Sequence, residues 1–224
     1  PSNLEVYFLP VGQGDATFVR FPSGTTLLVD AGGYMGDELA AERVIIPFLR
    51  GLGVRRVDWL LLTHGDRDHR AGLEAVSEAF SPSLFWWNGE VQSSLENSPD
   101  DEMTQLILSR AETVDRGTPA VNVGGALVSV LHPPQTSHQY LPQLTENDNS
   151  VVLSILFEGR TVLLMGDTEK RSESILLAQS LSGDIDVLKA GHHGSRTSSQ
   201  PALLTHLFPR FFRFNKHYFR KGCS

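Results

Sequence analysis

The chain has 224 residues, with 26 acidic and 19 basic side chains and a formal net charge of −7. A hydrophobic content of 40% suffices for a core and sets disorder aside, and the single cysteine, Cys223, excludes a disulfide framework or a cysteine-built zinc finger. No apolar run reaches the ~18–20 residues of a membrane span, and the start Pro1-Ser2-Asn3-Leu4-Glu5 has no signal pattern, so the chain reads as an excised soluble domain.

In chain order, Leu4–Leu9, Ala16–Phe21 and Thr25–Val29 read as three strands of a meander, turned by Gly12-Gln13-Gly14-Asp15 and Pro22-Ser23-Gly24. Glu38–Leu52 has near-helical apolar spacing, with Pro47 predicting a kink or a helix start. Val57–Leu62 is a continuous apolar strand, buried on both faces by its pattern. A helix over Ala71–Phe80, a strand over Leu84–Trp87 and a helix over Thr104–Glu112 follow. Asn122–Leu131, Ser150–Phe157, Thr161–Met165 and Ile185–Lys189 read as strands, and Ser172–Leu181 as a helix. The alternation implies an α/β protein with sheets covered by helices. Trp86 and Trp87 read as core and rim aromatics, and His132 as a loop residue.

Polar clusters sit at strand ends. Thr63-His64-Gly65-Asp66-Arg67-Asp68-His69 packs four potential metal ligands into six residues directly after a buried strand. His offers a neutral nitrogen and Asp a hard anionic oxygen, and two close aspartates repel unless a cation lies between them. Gly166-Asp167 places an acid after another apolar strand, and Gly191-His192-His193-Gly194-Ser195 places two imidazoles after a third. Asp15 and Asp30 read as turn and loop supports beside this site.

Taken together, these motifs resemble the metallo-β-lactamase fold. Within it, Val11-Gly12-Gln13-Gly14-Asp15, Leu28-Val29-Asp30-Ala31-Gly32, the 63–69 loop, Asn147-Asp148-Asn149-Ser150 and Ala190-Gly191-His192-His193-Gly194-Ser195 resemble the soluble domain of ComEC-type DNA-uptake proteins. The resemblance covers residues 4–205. It implies a single α/β domain over 1–224, an αβ/βα four-layer sandwich. It also implies a metal-dependent hydrolase, a phosphodiesterase or nuclease acting on DNA through metal-activated hydroxide. Hydrolysis of small esters, thioesters or lactones is the alternative, and a truncated, non-catalytic DNA-binding domain is the second.

The resemblance carries roles over position by position. His64, Asp66, Asp68, His69, Asp167 and His192 are expected metal ligands, with Asp167 bridging two divalent ions. Asp68 and His193 are the expected catalytic groups; whether His192 or His193 is the ligand stays open. Asp15, Asp30, Asn147 and Ser195 are expected supports. The oxygen donors Asp66 and Asn147, where the wider fold carries histidines, favour Mn²⁺ over Zn²⁺. A membrane channel domain of a larger bacterial inner-membrane protein is an expected partner.

Two departures are visible. Pro10 stands where the family usually has Asp. Residues 208–224 form an atypical basic tail, in which Asn215, His217 and Tyr218 echo a family segment out of register. A missing final strand and an unpaired sheet edge are therefore expected. The charge is also uneven: all 26 acids lie at or before Asp186, and Lys189, Arg196, Arg210, Arg213, Lys216, Arg220 and Lys221 follow it. This acid-free stretch is the expected strip for a polyanion, with Lys189 and Arg196 as substrate contacts.

Overall fold

The computed structural model describes residues 3–35, 38–89, 109–135, 141–179 and 185–213. Strands β1 (Glu5–Phe8), β2 (Thr17–Arg20) and β3 (Thr26–Val29) form the expected antiparallel meander, with Glu5 opposite Arg20 and Thr17 opposite Val29. A small hairpin, β4 (Tyr34–Met35) with β5 (Glu38–Leu39), leads to a π-helical turn at Ala41–Ile45 and then helix α1 (Ile46–Gly51). The predicted helix over Glu38–Leu52 is thus broken up. Pro47 sits in the first turn of α1, where a missing N–H costs nothing.

Strand β6 (Trp59–Leu62) lies parallel to β3. Helices α2 (Arg67–Arg70) and α3 (Leu73–Phe80) return the chain to β7 (Leu84–Trp87) and β8 (Ala111–Thr113), and the sheet order is β1-β2-β3-β6-β7-β8. Ala111 and Glu112, expected at the end of a helix, pair instead with Phe85 and Trp86. Strand pairing overrides local propensity there; 101–108 lie outside the described residues.

The second sheet has the order β14-β13-β12-β11-β10-β9. Its strands are β9 (Val121–Val123), β10 (Ala126–His132), β11 (Val152–Phe157), β12 (Arg160–Leu164), β13 (Val187–Lys189) and β14 (Phe211–Arg213). Residues 122–131, read as one strand, form a hairpin about Gly124-Gly125, both at positive φ (59° and 89°). That is the backbone a two-residue hairpin turn needs. His132 ends β10 and is fully buried, so it is not a loop residue. Helices α4 (Lys170–Ala178) and α5 (Pro201–Leu207) cover this sheet.

Alternating side chains build the layers. Leu28, Leu60 and Leu62 face Ile45, Leu49, Leu73 and Val76 on one side. Leu27, Val29, Trp59 and Leu61 face Val128, Leu153, Ile155 and Leu164 of the other sheet. Val152, Leu163 and Leu188 face Leu176, Leu203 and Leu207. The result is helix, sheet, sheet, helix, the expected four-layer sandwich. Trp86 belongs to the inter-sheet core, edge-on to Trp59, and Trp87 to the helix-side core.

The chain's end differs from expectation in one respect. Phe211–Arg213, inside the supposed irregular tail, pairs parallel with β13 and covers its edge. Lys216, Arg220, Lys221, Asn215, His217, Tyr218 and Cys223 lie outside the described residues. Among the described residues no helix is long and apolar enough to cross a membrane.

Candidate metal centre

Parallel pairing decides where the chemistry gathers. β3 and β6 run parallel in one sheet, and β12 and β13 in the other. Their carboxyl ends deliver Asp30, His64, Asp167 and His192-His193 respectively. The 63–69 loop and the turn carrying Asp15 are then locked together by backbone. Asp15 N–H donates to Asp68 O (2.9 Å), Gly32 N–H to Asp15 O (3.0 Å) and Ala31 N–H to His69 O (2.8 Å). The approach is so close that a Cβ on Gly32 would lie 1.6 Å from Asp68 O, so only glycine fits.

Asp30, at φ 58°, is the keystone of this loop. Its carboxylate accepts Thr63 N–H (2.8 Å), Thr63 Oγ1–H (2.9 Å) and the His69 Nδ1–H (2.8 Å). That last bond assigns the His69 proton to Nδ1 and leaves a lone pair on Nε2. Nε2 lies 3.1 Å from Asp167 Oδ1, both atoms are buried, and neither has a hydrogen-bond partner. A lone pair facing a carboxylate is repulsive unless a proton or a metal cation joins them. Two donor atoms 3.1 Å apart also match neighbouring ligands on one ion at roughly 2.1 Å.

The surrounding electrostatics favour a cation as well. Burial pushes the His69 imidazole down, but Asp167 and Asp30 together hold it well above its ordinary value. Burial pushes Asp167 up, but His69, His64 and His193 hold it well below the carboxylate range. Asp15, His69, Asp167 and His193 each offer one ligand atom, all within 4.8 Å of one another. The residues present therefore fit a bound divalent ion.

The profile of the metallo-beta-lactamase superfamily matches residues 9–206. The chain belongs to that superfamily. Its curated relatives include ComE operon protein 3 of Bacillus subtilis, 28% identical over 93% of this chain and 28% of that protein. Recombination protein 2 of Haemophilus influenzae is 31% identical over 92% of this chain and 23% of that protein. Competence protein ComA of Neisseria gonorrhoeae is 27% identical over 89% and 25%. The chain spans about a quarter of the length of these relatives, and the ComEC-type resemblance read from its motifs is borne out. Among solved structures, CmlA, a diiron beta-hydroxylase from Streptomyces venezuelae, superposes with a TM-score of 0.57 at 19% identity, covering 95% of this chain and 45% of that one. The metallo-beta-lactamase fold protein YhfI from Bacillus subtilis gives 0.52 at 12% identity, covering 84% and 72%. Both likenesses are of fold.

Within this superfamily fold the other candidate residues distribute unevenly. His64 is fully buried, its Nε2 without a hydrogen-bond partner and 3.5 Å from Asp66 Oδ2. The neighbouring imidazole holds the half-exposed Asp66 carboxyl below its usual range. The His64 and His69 ring centroids are 4.2 Å apart, so the two groups share one wall. Asp68 lies 3.2 Å from His193 Nε2, which is 3.5 Å from Asp167 Oδ2. Burial pushes Asp68 up, but the bond to His193 and the charge of His69 bring it down to about 2.

His192 and His193 part company. Both have left-handed backbone, φ 43° and 51°. His193 joins the cluster, whereas His192 stays at the rim, its Nε2 4.0 Å from Asp167 Oδ2. His192 Nδ1 lies 2.7 Å from Glu169 Oε1, which also accepts Thr197 Oγ1–H at 2.6 Å. Asn147 reaches this ring at 3.4 Å. Glu169 escaped the sequence reading. Its only signal was a capping-box position three residues before Ser172.

Ser195 contacts Thr197 (3.0 Å) and shapes the loop, and Arg196 is exposed. Lys189 is a correction. It is no surface contact but is 3% exposed, with its ammonium on Asp15 Oδ2. Burial pushes that ammonium down, but Asp15, and behind it Asp167 and Asp30, hold it above its usual value. Arg210 lies 3.4 Å from Asp186 with its side chain 59% exposed, so the described part of the basic strip is Arg196, Arg210 and Arg213.

Proposed function

We propose that this domain is a metal-dependent hydrolase that cleaves DNA phosphodiesters in competence-type DNA uptake. The observation carrying the reading is buried His69 Nε2 set against Asp167 Oδ1 inside a four-residue donor cluster. His69, Asp68, Asp167 and His193 would hold one ion, and His64 and Asp66 a second, with Asp167 between them. The oxygen donor Asp66, where the wider fold carries a histidine, favours Mn²⁺ over Zn²⁺. Bound there, divalent ions supply an activated water near neutral pH and neutralise charge building on a phosphate oxygen.

The chain's own groups do the rest. Asp30 keeps the His69 lone pair turned inward. Glu169 orients His192, whose Nε2 sits at the mouth of the cluster and can pass a proton to a leaving oxygen. The competence relatives support DNA as the substrate. So does exposed Arg196, three residues beyond His193. With a net charge of −7, DNA is held by the metal centre and local cations, not by bulk charge. A channel domain in a longer membrane protein is the setting that the relatives' greater length supports.

The test is to load metal-stripped protein with Mn²⁺, Mg²⁺ or Zn²⁺ and offer single- and double-stranded DNA. Cleavage is expected with Mn²⁺ and should vanish with a chelator. Asp167→Asn is expected to lower it on the order of 10³-fold. Cleavage that survives both Asp66→Asn and Asp167→Asn would sink the reading. Ester turnover without DNA cleavage would replace it by a small-ester hydrolase.

A further inference from the structure

The buried lysine beside the cluster has no place in the chemistry described so far. We propose that Lys189 is a resident cation of this centre, holding Asp15 so that divalent ions must compete with it for that carboxylate. The inference rests on the metal-centre reading above.

The backbone puts Lys189 there without freedom. It is the last residue of β13, opposite Leu164 of β12 on one side and Arg213 of β14 on the other. Strand alternation gives it the same face as Val187, which packs into the inter-sheet core, and opposite to Leu188, which packs under the helices. Its four-carbon stem therefore runs between the sheets and ends at Asp15. The side chains of Lys189 and Asp15 are 4% and 2% exposed. An ammonium buried to that extent persists only with a counter-charge in contact.

Asp15 is also one of the four groups within ligand distance of one another. The same carboxylate thus serves two cations, and one of them is covalently part of the protein. Four acids, Asp15, Asp30, Asp68 and Asp167, surround the centre, and Lys189 permanently offsets one of them. Divalent ions are left chiefly with His69, His193, Asp68 and Asp167. A fixed positive charge beside the site also opposes every incoming dication by simple Coulomb repulsion. Lys189 therefore limits affinity and keeps Asp15 in place when no metal is bound.

The experiment is Mn²⁺ titration calorimetry on metal-stripped wild type, Asp15→Asn, Lys189→Met and the double variant, with metal-free melting temperatures measured alongside. Lys189→Met should melt several degrees lower without metal yet bind Mn²⁺ about tenfold tighter. Asp15→Asn leaves Lys189 uncompensated and should weaken Mn²⁺ binding, whereas the double variant should stay within about threefold of wild-type affinity and recover most of the metal-free melting temperature. Tenfold weaker binding in the double variant than in wild type would show Asp15 to be an essential ligand and overturn the proposal. So would weaker binding in Lys189→Met. If Lys189→Met does not fold without metal, the double variant still decides. Wild type that binds no divalent ion at all would remove the metal-centre reading, and this proposal with it. Wild type that binds Mn²⁺, with Lys189→Met no tighter, would remove the competition alone.

Discussion

The two halves of the molecule reach the same edge by different means. Each brings parallel strands to the centre and supports its loop with one buried aspartate that accepts three hydrogen bonds. In the first half that acid is Asp30, and one of its donors is the ring of His69 itself. In the second half it is Asp148, whose donors are Glu169 N–H (3.0 Å), Ser172 N–H (3.1 Å) and Ser172 Oγ–H (2.6 Å) at the start of α4. The first half is therefore a preformed wall, in which Asp15, Asp30, His64 and His69 are all buried. The second half holds Asp167 just as deeply but presents His192 and Asn147 nearer solvent, on turns that helix capping steadies from behind. Support lies one bond from the chemistry in the first half and further off in the second.

That contrast breaks most visibly at Asp30. Asp30→Ala leaves Thr63 N–H buried without an acceptor and takes the carboxylate from His69 Nδ1–H. It should cost about 3–5 kcal/mol in metal-free urea unfolding and weaken Mn²⁺ binding by at least about tenfold. The matching change in the second half, Asp148→Asn, should cost about 1–2 kcal/mol while leaving Mn²⁺ affinity within about threefold. Equal losses of affinity in the two variants would erase the distinction between the halves.

Between about pH 6.5 and 4 the second half should also lose stability through His132. Its Nε2–H donates to Asp148 O at 2.7 Å, and burial pushes the imidazole down to about 4 from 6.5. The unfolded chain then takes up a proton before the folded one does. Stability from this group is complete above about pH 6.5 and is lost as the pH falls toward 4, where the folded form protonates too. The loss is about 3 kcal/mol. Urea unfolding of metal-free protein at a series of pH values should show that slope, and His132→Gln should flatten it.

Much of this was legible in the residues. The strand-end motifs announced the candidate metal centre, because ligand types at such spacing have few other uses. The four-layer fold came with them. What escaped depends on contacts that no local window contains. Glu169 matters only because Ser195–Thr197 and His192 fold over it, and Lys189 looked like a surface cation because strand alternation says nothing of a counter-charge 174 residues away. Two misreadings were local and avoidable. Gly124-Gly125 is a hairpin signal that 122–131 hid within an apolar run, and Phe211-Phe212-Arg213 is strand-like enough to have been expected beside β13.

The smallest expected effect tests whether left-handed backbone in the second half serves the site. His192 and His193 hold that conformation beside Asp167, and Glu158 holds it (φ 48°) in the turn joining β11 to β12. A non-glycine residue pays roughly 1 kcal/mol for such a backbone unless, like Asn, it tolerates it. Glu158 is exposed and sits at the end of β12 away from Asp167, so nothing there repays the strain. Glu158→Asn should therefore stabilise the protein by about 0.5–1 kcal/mol and leave metal affinity and hydrolysis unchanged. His192→Asn relieves the same kind of strain but removes the ring oriented by Glu169. Any stability it gains should come with lost hydrolysis. If both substitutions stabilise and neither affects hydrolysis, the strain at His192 has no function and the rim histidine is a passenger.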